Sequence, residues 1–81
     1  MGSADKKIDA MRANPKADWQ IGDFETVAKA VGIAIRKSGG SHAVFSHPKS
    51  RTRVTVPARR PIKTVYVRAF IEFVDELREQ S

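Results

Sequence analysis

Apolar positions recur along this chain first with a helical period, then with a period of two, then with a helical period again. In the stretch 5–13, DKKIDAMRA, Ile8 and Met11 share one side of a short helix. Asn14-Pro15 ends it, because the residue before a proline is pushed out of the helical region. The stretch 16–21, KADWQI, is a connector whose Trp19 and Ile21 are expected to enter the core or tack the first helix down. The stretch 23–31, DFETVAKAV, is a stronger helix. Phe24, Val27, Ala28 and Val31 make an i, i+3, i+4, i+7 stripe, Gly22 or Asp23 can cap its start, and Gly32 suits the position after its end.

From residue 33 the alternation is that of strands. IAIRK (33–37) puts Ile33 and Ile35 on one side, Ala34 and Arg36 on the other. SGG (38–40) is a hairpin turn. SHAVFSH (41–47) is a second strand, PKSR (48–51) a second turn, and TRVTV (52–56) a third strand stopped by Pro57. ARRPIK is a basic loop. TVYVRAFIEFVDELRE (64–79) closes the chain as a helix, with Val67, Phe70, Ile71, Val74 and Leu77 on its buried stripe. The acids from Glu72 onward oppose that helix's dipole, so a partner outside the helix is expected for them.

The order predicts an α+β fold. It is an α-β-β-β-α core with an extra N-terminal helix, the helices covering one face of a three-stranded antiparallel meander. With 81 residues the chain is read as a single domain, 1–21 forming an N-terminal extension and 22–79 the core. It contains no cysteine, so packing alone holds it, which suits a reducing cytoplasm. No run approaches a membrane span, and the polar opening is unlike a signal peptide.

Strand parity separates the two histidines. Phe45 must face the helices, taking Ala43 and His47 with it, so His42, Val44 and Ser46 point to the uncovered face. The neighbouring strands add Ala34, Arg36, Arg53 and Thr55 there, which places His42 beside Arg36, Arg53 and Thr55. His47, before Pro48, is expected as a strand-end packing or capping residue bonded to a loop carbonyl. Two histidines on opposite faces, without cysteine or a nearby acid, lack the ligands of a zinc site. Ser41 and His42, as adjacent strand residues, should point apart, which argues against a Ser-His-Asp triad.

Charge sharpens the picture. The net is +6, and between Thr26 and Ile71 there is no Asp or Glu, while lysines and arginines run from Lys29 to Arg68. A basic middle of this kind fits a phosphate backbone, or an acidic protein. An isolated histidine in such a field suits phosphodiester chemistry on RNA. The ribose 2′-OH is an internal nucleophile, imidazole moves the proton, and cations and N–H groups stabilise charge on phosphorus. Gly39 and Gly40 let a phosphate approach the backbone closely.

The run GGSHAVFSHP…VTVPARRPIK…VYVRAFIEFVDE resembles the HicA toxins of toxin–antitoxin modules. The motif residues are Gly40, Ser41, His42, Phe45, His47, Pro48, Val54, Thr55, Val56 and Pro57, and the likeness spans roughly 23–77. It implies a double-stranded-RNA-binding-domain-like fold and a metal-independent, cofactor-free mRNA interferase. It also implies catalysis by His42, a turn glycine at Gly40, and a HicB-type antitoxin over the active face. Typical members are shorter and lack the segment KKIDAMRANPKADWQI.

On this reading Arg36, Lys37 and Arg53 hold the scissile and flanking phosphates. Arg59, Arg60 and Lys63 hold the backbone further along, near the last helix's N-terminus. Ser41 either orients a phosphate or caps the turn, the turn role being favoured. The alternatives are a non-catalytic RNA-binding module of the same fold, with His42 incidental, and a protein-interaction domain with a basic face.

Overall fold

A computed structural model of the chain describes residues 2–38, 40–59 and 61–80. Helix α1 (Ser3–Ala13) and helix α2 (Ile21–Val31) precede strands β1 (Ala34–Ser38), β2 (His42–Ser46) and β3 (Arg53–Pro57), and helix α3 (Thr64–Gln80) closes the chain. The sheet is antiparallel with β2 in the centre. This is the α+β architecture that the periodicity predicts.

The helix α2 begins two residues earlier than expected. Gln20, not Gly22 or Asp23, is its cap. Asp23 acts from inside the first turn, its Oδ2 accepting the Gln20 N–H at 2.9 Å. The other Asp23 oxygen accepts from Lys7 Nζ of α1 at 2.8 Å. One carboxylate therefore starts α2 and pins α1 to it. Burial pushes the Asp23 carboxyl up, but the Lys7 hydrogen bond, the Gln20 N–H and the Lys7 charge outweigh it and hold the group below its ordinary range.

Helix α2 ends at Gly32, whose φ of 79° is left-handed. The Ile33 N–H bonds back to the Ala28 carbonyl at 2.8 Å. That helix-ending bond keeps Ile33 out of the ladder, so β1 starts at Ala34, although the Ile33 side chain is buried as expected. At the other end of the meander, Pro57 is the last residue of β3 and pairs with His42. An edge strand tolerates its missing N–H.

Phe24 of α2, Phe45 of β2 and Phe70 of α3 meet at the centre, with ring centroids 4.8 to 6.1 Å apart in tilted geometry. Ala43, Val54 and Val56 extend this core along the sheet's helix side. Ile8 and Met11 of α1 belong to it too, at 1% and 0% exposure. Trp19 is half-buried against the core and donates its indole N–H to the Asn14 carbonyl at 2.9 Å, which ties down the end of α1. Two of the late acids of α3 find partners outside the helix: Asp75 pairs with Arg12 of α1, and Glu76 accepts from the Ser50 hydroxyl at 3.5 Å.

With all three helices on one side, the opposite sheet face stays uncovered. It presents Ala34 and Arg36 from β1, His42, Val44 and Ser46 from β2, and Arg53 and Thr55 from β3.

Candidate active site

The turn before β2 is built around Gly40, whose φ of 79° L-residues with a Cβ rarely adopt. A Cβ placed there would meet nothing within 4 Å. Glycine is thus required by backbone conformation and not by crowding. Gly39 lies outside the described residues. The turn is fixed from the far side of the sheet, where the Ala58 N–H donates to the Ser41 carbonyl at 2.8 Å. That bond holds the loop after β3 against the start of β2.

Ser41 is a turn residue, so strand parity does not govern it. Its hydroxyl hydrogen-bonds with Nδ1 of His42 at 3.2 Å. This corrects the expectation that the two side chains point apart. The contact leaves Nε2 as the ring nitrogen not engaged by Ser41. His42 itself is exposed on the first residue of the central strand. Ser41, His42, Pro57 and Arg59 line a small pocket of about 310 Å³, and none of these described lining residues is a carboxylate.

The other expected residues divide around this pocket. Arg36 shares the uncovered face with His42, one diagonal step away across the β1–β2 pair. Arg53 shares the face but pairs with Ser46, four residues along β2 from His42. At about 3.3 Å per residue this puts Arg53 roughly 13 Å from the histidine, not beside it. Lys37 pairs with Ala43 on the helix side of the sheet and reaches Glu25 of α2 at 3.3 Å. It is not brought together with His42. Arg59 lines the His42 pocket, and Arg59 and Lys63 together line the next pocket, at the start of α3. Arg60 lies outside the described residues.

The acids are drawn away from the basic face. Asp23 pairs with Lys7, Asp75 with Arg12, Asp5 with Arg78 and Glu25 with Lys37. Among the described residues no ion pair engages Arg36, Arg53, Arg59 or Lys63. The charge segregation along the sequence thus becomes a segregation in space: the paired carboxylates tie helices to their neighbours, while Arg59 and Arg36 are the cations set nearest the histidine.

His47 lies on the helix side, lining a pocket with Val31, Lys49, Leu77 and Arg78. Its Nδ1 accepts the Lys49 N–H at 3.0 Å, and its carbonyl accepts the Ser50 N–H at 3.0 Å. It caps the β2–β3 turn as expected, but through a loop N–H and not a loop carbonyl. The two Ser-His pairs therefore have separate surroundings, one open and basic, one structural.

The family model for the HicA toxins of bacterial toxin–antitoxin systems matches residues 21–74. The match runs from the first residue of α2 into α3, spans the whole meander, and leaves α1 outside. No curated protein and no solved structure matches the chain. A match over more than half of the chain, on a fold with the expected element order, settles the kinship: the chain belongs to the HicA family of toxins, generally ribonucleases paired with HicB antitoxins.

Proposed function

We propose that this chain is an mRNA interferase that cleaves RNA without a metal, with His42 as its acid/base catalyst. The observation that carries the reading is the exposed His42 in a pocket shared with Ser41 and Arg59, with no carboxylate among the described lining residues. In the reaction the His42 imidazole takes the proton of the ribose 2′-OH. The 2′ oxygen attacks phosphorus, the bond from phosphorus to the 5′ oxygen breaks, and the imidazolium or a water returns a proton to that oxygen. The products are a 2′,3′-cyclic phosphate and a 5′-OH. Arg59 and the Gly40–Ser41 turn stabilise charge on the phosphate, while Arg36 and Lys63 hold flanking phosphates. Arg53 reaches a phosphate further along the face. A HicB-type antitoxin would silence the toxin by covering this same face.

A non-catalytic RNA-binding module of the same fold is the competing reading, supported by Arg59 and Lys63 at the start of α3. Induced expression of wild type and His42→Ala separates the two. Growth arrest and message decay with wild type alone support the nuclease. Equal arrest and decay with both remove His42 from catalysis. No decay with either, alongside salt-dependent RNA binding by both, supports the binding module.

A further inference from the structure

A second pocket, of about 280 Å³, adjoins the His42 pocket and differs from it in chemistry. Pro57, Arg59, Pro61, Ile62, Lys63 and Tyr66 line it. Pro57 and Arg59 line both, so the two form one continuous surface around the end of β3. Its walls are apolar and aromatic. Ile62 is buried, while Tyr66 is only half-buried against the core. Among the described residues the Tyr66 hydroxyl has no hydrogen-bond partner. Two exposed cations, Arg59 and Lys63, line it as well, and no acid is among the described lining residues.

We propose that this pocket receives one unstacked nucleobase of a single-stranded RNA, stacked on Tyr66, next to the phosphate held at His42. A pocket lined by two prolines, an isoleucine, a tyrosine and two cations matches a base with its neighbouring phosphates. An acidic protein surface would use the cations but not the apolar lining. Duplex RNA keeps its bases stacked and cannot fill it, so the pocket selects single strands and gives the cleavage step a base preference. The inference rests on the ribonuclease reading for its location beside the scissile phosphate, but not for the binding it predicts.

The test uses the full chain carrying His42→Ala, so that RNA survives, and a fluorescently labelled single-stranded RNA followed by anisotropy. Tyr66→Leu keeps apolar bulk and is expected to weaken binding roughly 5- to 150-fold, the span of one stacked base, while Tyr66→Phe binds as the parent does. A matched set of RNAs, each with one abasic nucleotide, is expected to show a penalty of the same size at one position on the parent. That penalty disappears on Tyr66→Leu. A duplex of the same sequence is expected to be insensitive to Tyr66. Equal binding of single strands by parent and Tyr66→Leu, an abasic penalty that survives Tyr66→Leu, or equal losses for single strand and duplex would each overturn the proposal. The first of these, together with cleavage by wild type and none by His42→Ala, would remove the base pocket and leave the nuclease standing. Absence of cleavage by wild type would remove the nuclease, and the anisotropy would still decide the pocket.

Discussion

The Ser41 hydroxyl and the His42 Nδ1 hydrogen-bond across 3.2 Å, from the last residue of a turn to the first residue of the central strand. The contact engages Nδ1 and leaves Nε2 not engaged by Ser41, and on the proposed mechanism Nε2 is the nitrogen that meets the substrate. Ser41→Ala should therefore slow single-turnover RNA cleavage by roughly 2- to 10-fold, the worth of one neutral hydrogen bond. RNA affinity should be unchanged, and Ser41→Thr should restore the rate. A role in turn stability alone would instead lower the melting temperature and leave the rate per folded molecule intact.

Two glycines should respond to alanine in opposite directions. At Gly40 the left-handed φ of 79° makes Gly40→Ala destabilising by about 1–2 kcal/mol, although a Cβ would have room. Gly22 lies in the first turn of α2 with nothing within 4 Å of a Cβ, and Gly22→Ala should be neutral or stabilising by up to about 1 kcal/mol. Urea denaturation of both variants measures the contrast. Gly40→Ala should also reduce cleavage, because that turn leads directly into His42.

Helix α1 lies outside the family match but inside the core. Ile8→Ala and Met11→Ala should each cost about 2–5 kcal/mol, as large-to-small changes do at other buried sites. For a domain of this size that is a large share of the total stability. A melting temperature unchanged by either substitution would mean that α1 is a detachable appendage.

Asp23 makes a pH prediction whose sign follows from its depressed carboxyl. A carboxylate held below its unfolded value, about 3.9, contributes stability above that pH and loses it as pH falls through the lower folded value. Asp23→Asn should accordingly be less stable than wild type at pH 6, and the gap should narrow below about pH 4. Chemical denaturation across pH 2–6 measures it. A gap independent of pH would show that the Lys7–Asp23 pair acts by shape alone.

Much of this fold was legible because its apolar spacing is regular. Phe24, Val27 and Ala28, then Ala43 and Phe45, then Val67, Phe70 and Val74, are all buried where their periods place them. The same parity put His42 on the open face and His47 under the helices. What escaped was chemistry that parity does not describe. The start of α2 moved because Asp23 bonds back to Gln20, and a reciprocal bond of this kind is visible in sequence only as a polar pair three apart. Lys37 was expected at the phosphates, yet its own position on the helix side delivers it to Glu25. The alternation assigns Ser41 to the second strand, and its membership of the turn is what brings its hydroxyl to the imidazole. Tyr66 gave no signal, because its place on α3 beside Pro57 depends on how α3 docks at the sheet edge.

The most direct test is cleavage of a labelled RNA by purified wild type and His42→Ala in excess chelator, with RNA binding measured alongside. Catalysis by His42 without a metal predicts wild-type cleavage to a 2′,3′-cyclic phosphate in chelator. It also predicts a loss of roughly 100- to 10,000-fold in His42→Ala, with affinity retained. Cleavage by His42→Ala at the wild-type rate, or wild-type cleavage abolished by the chelator, would contradict it.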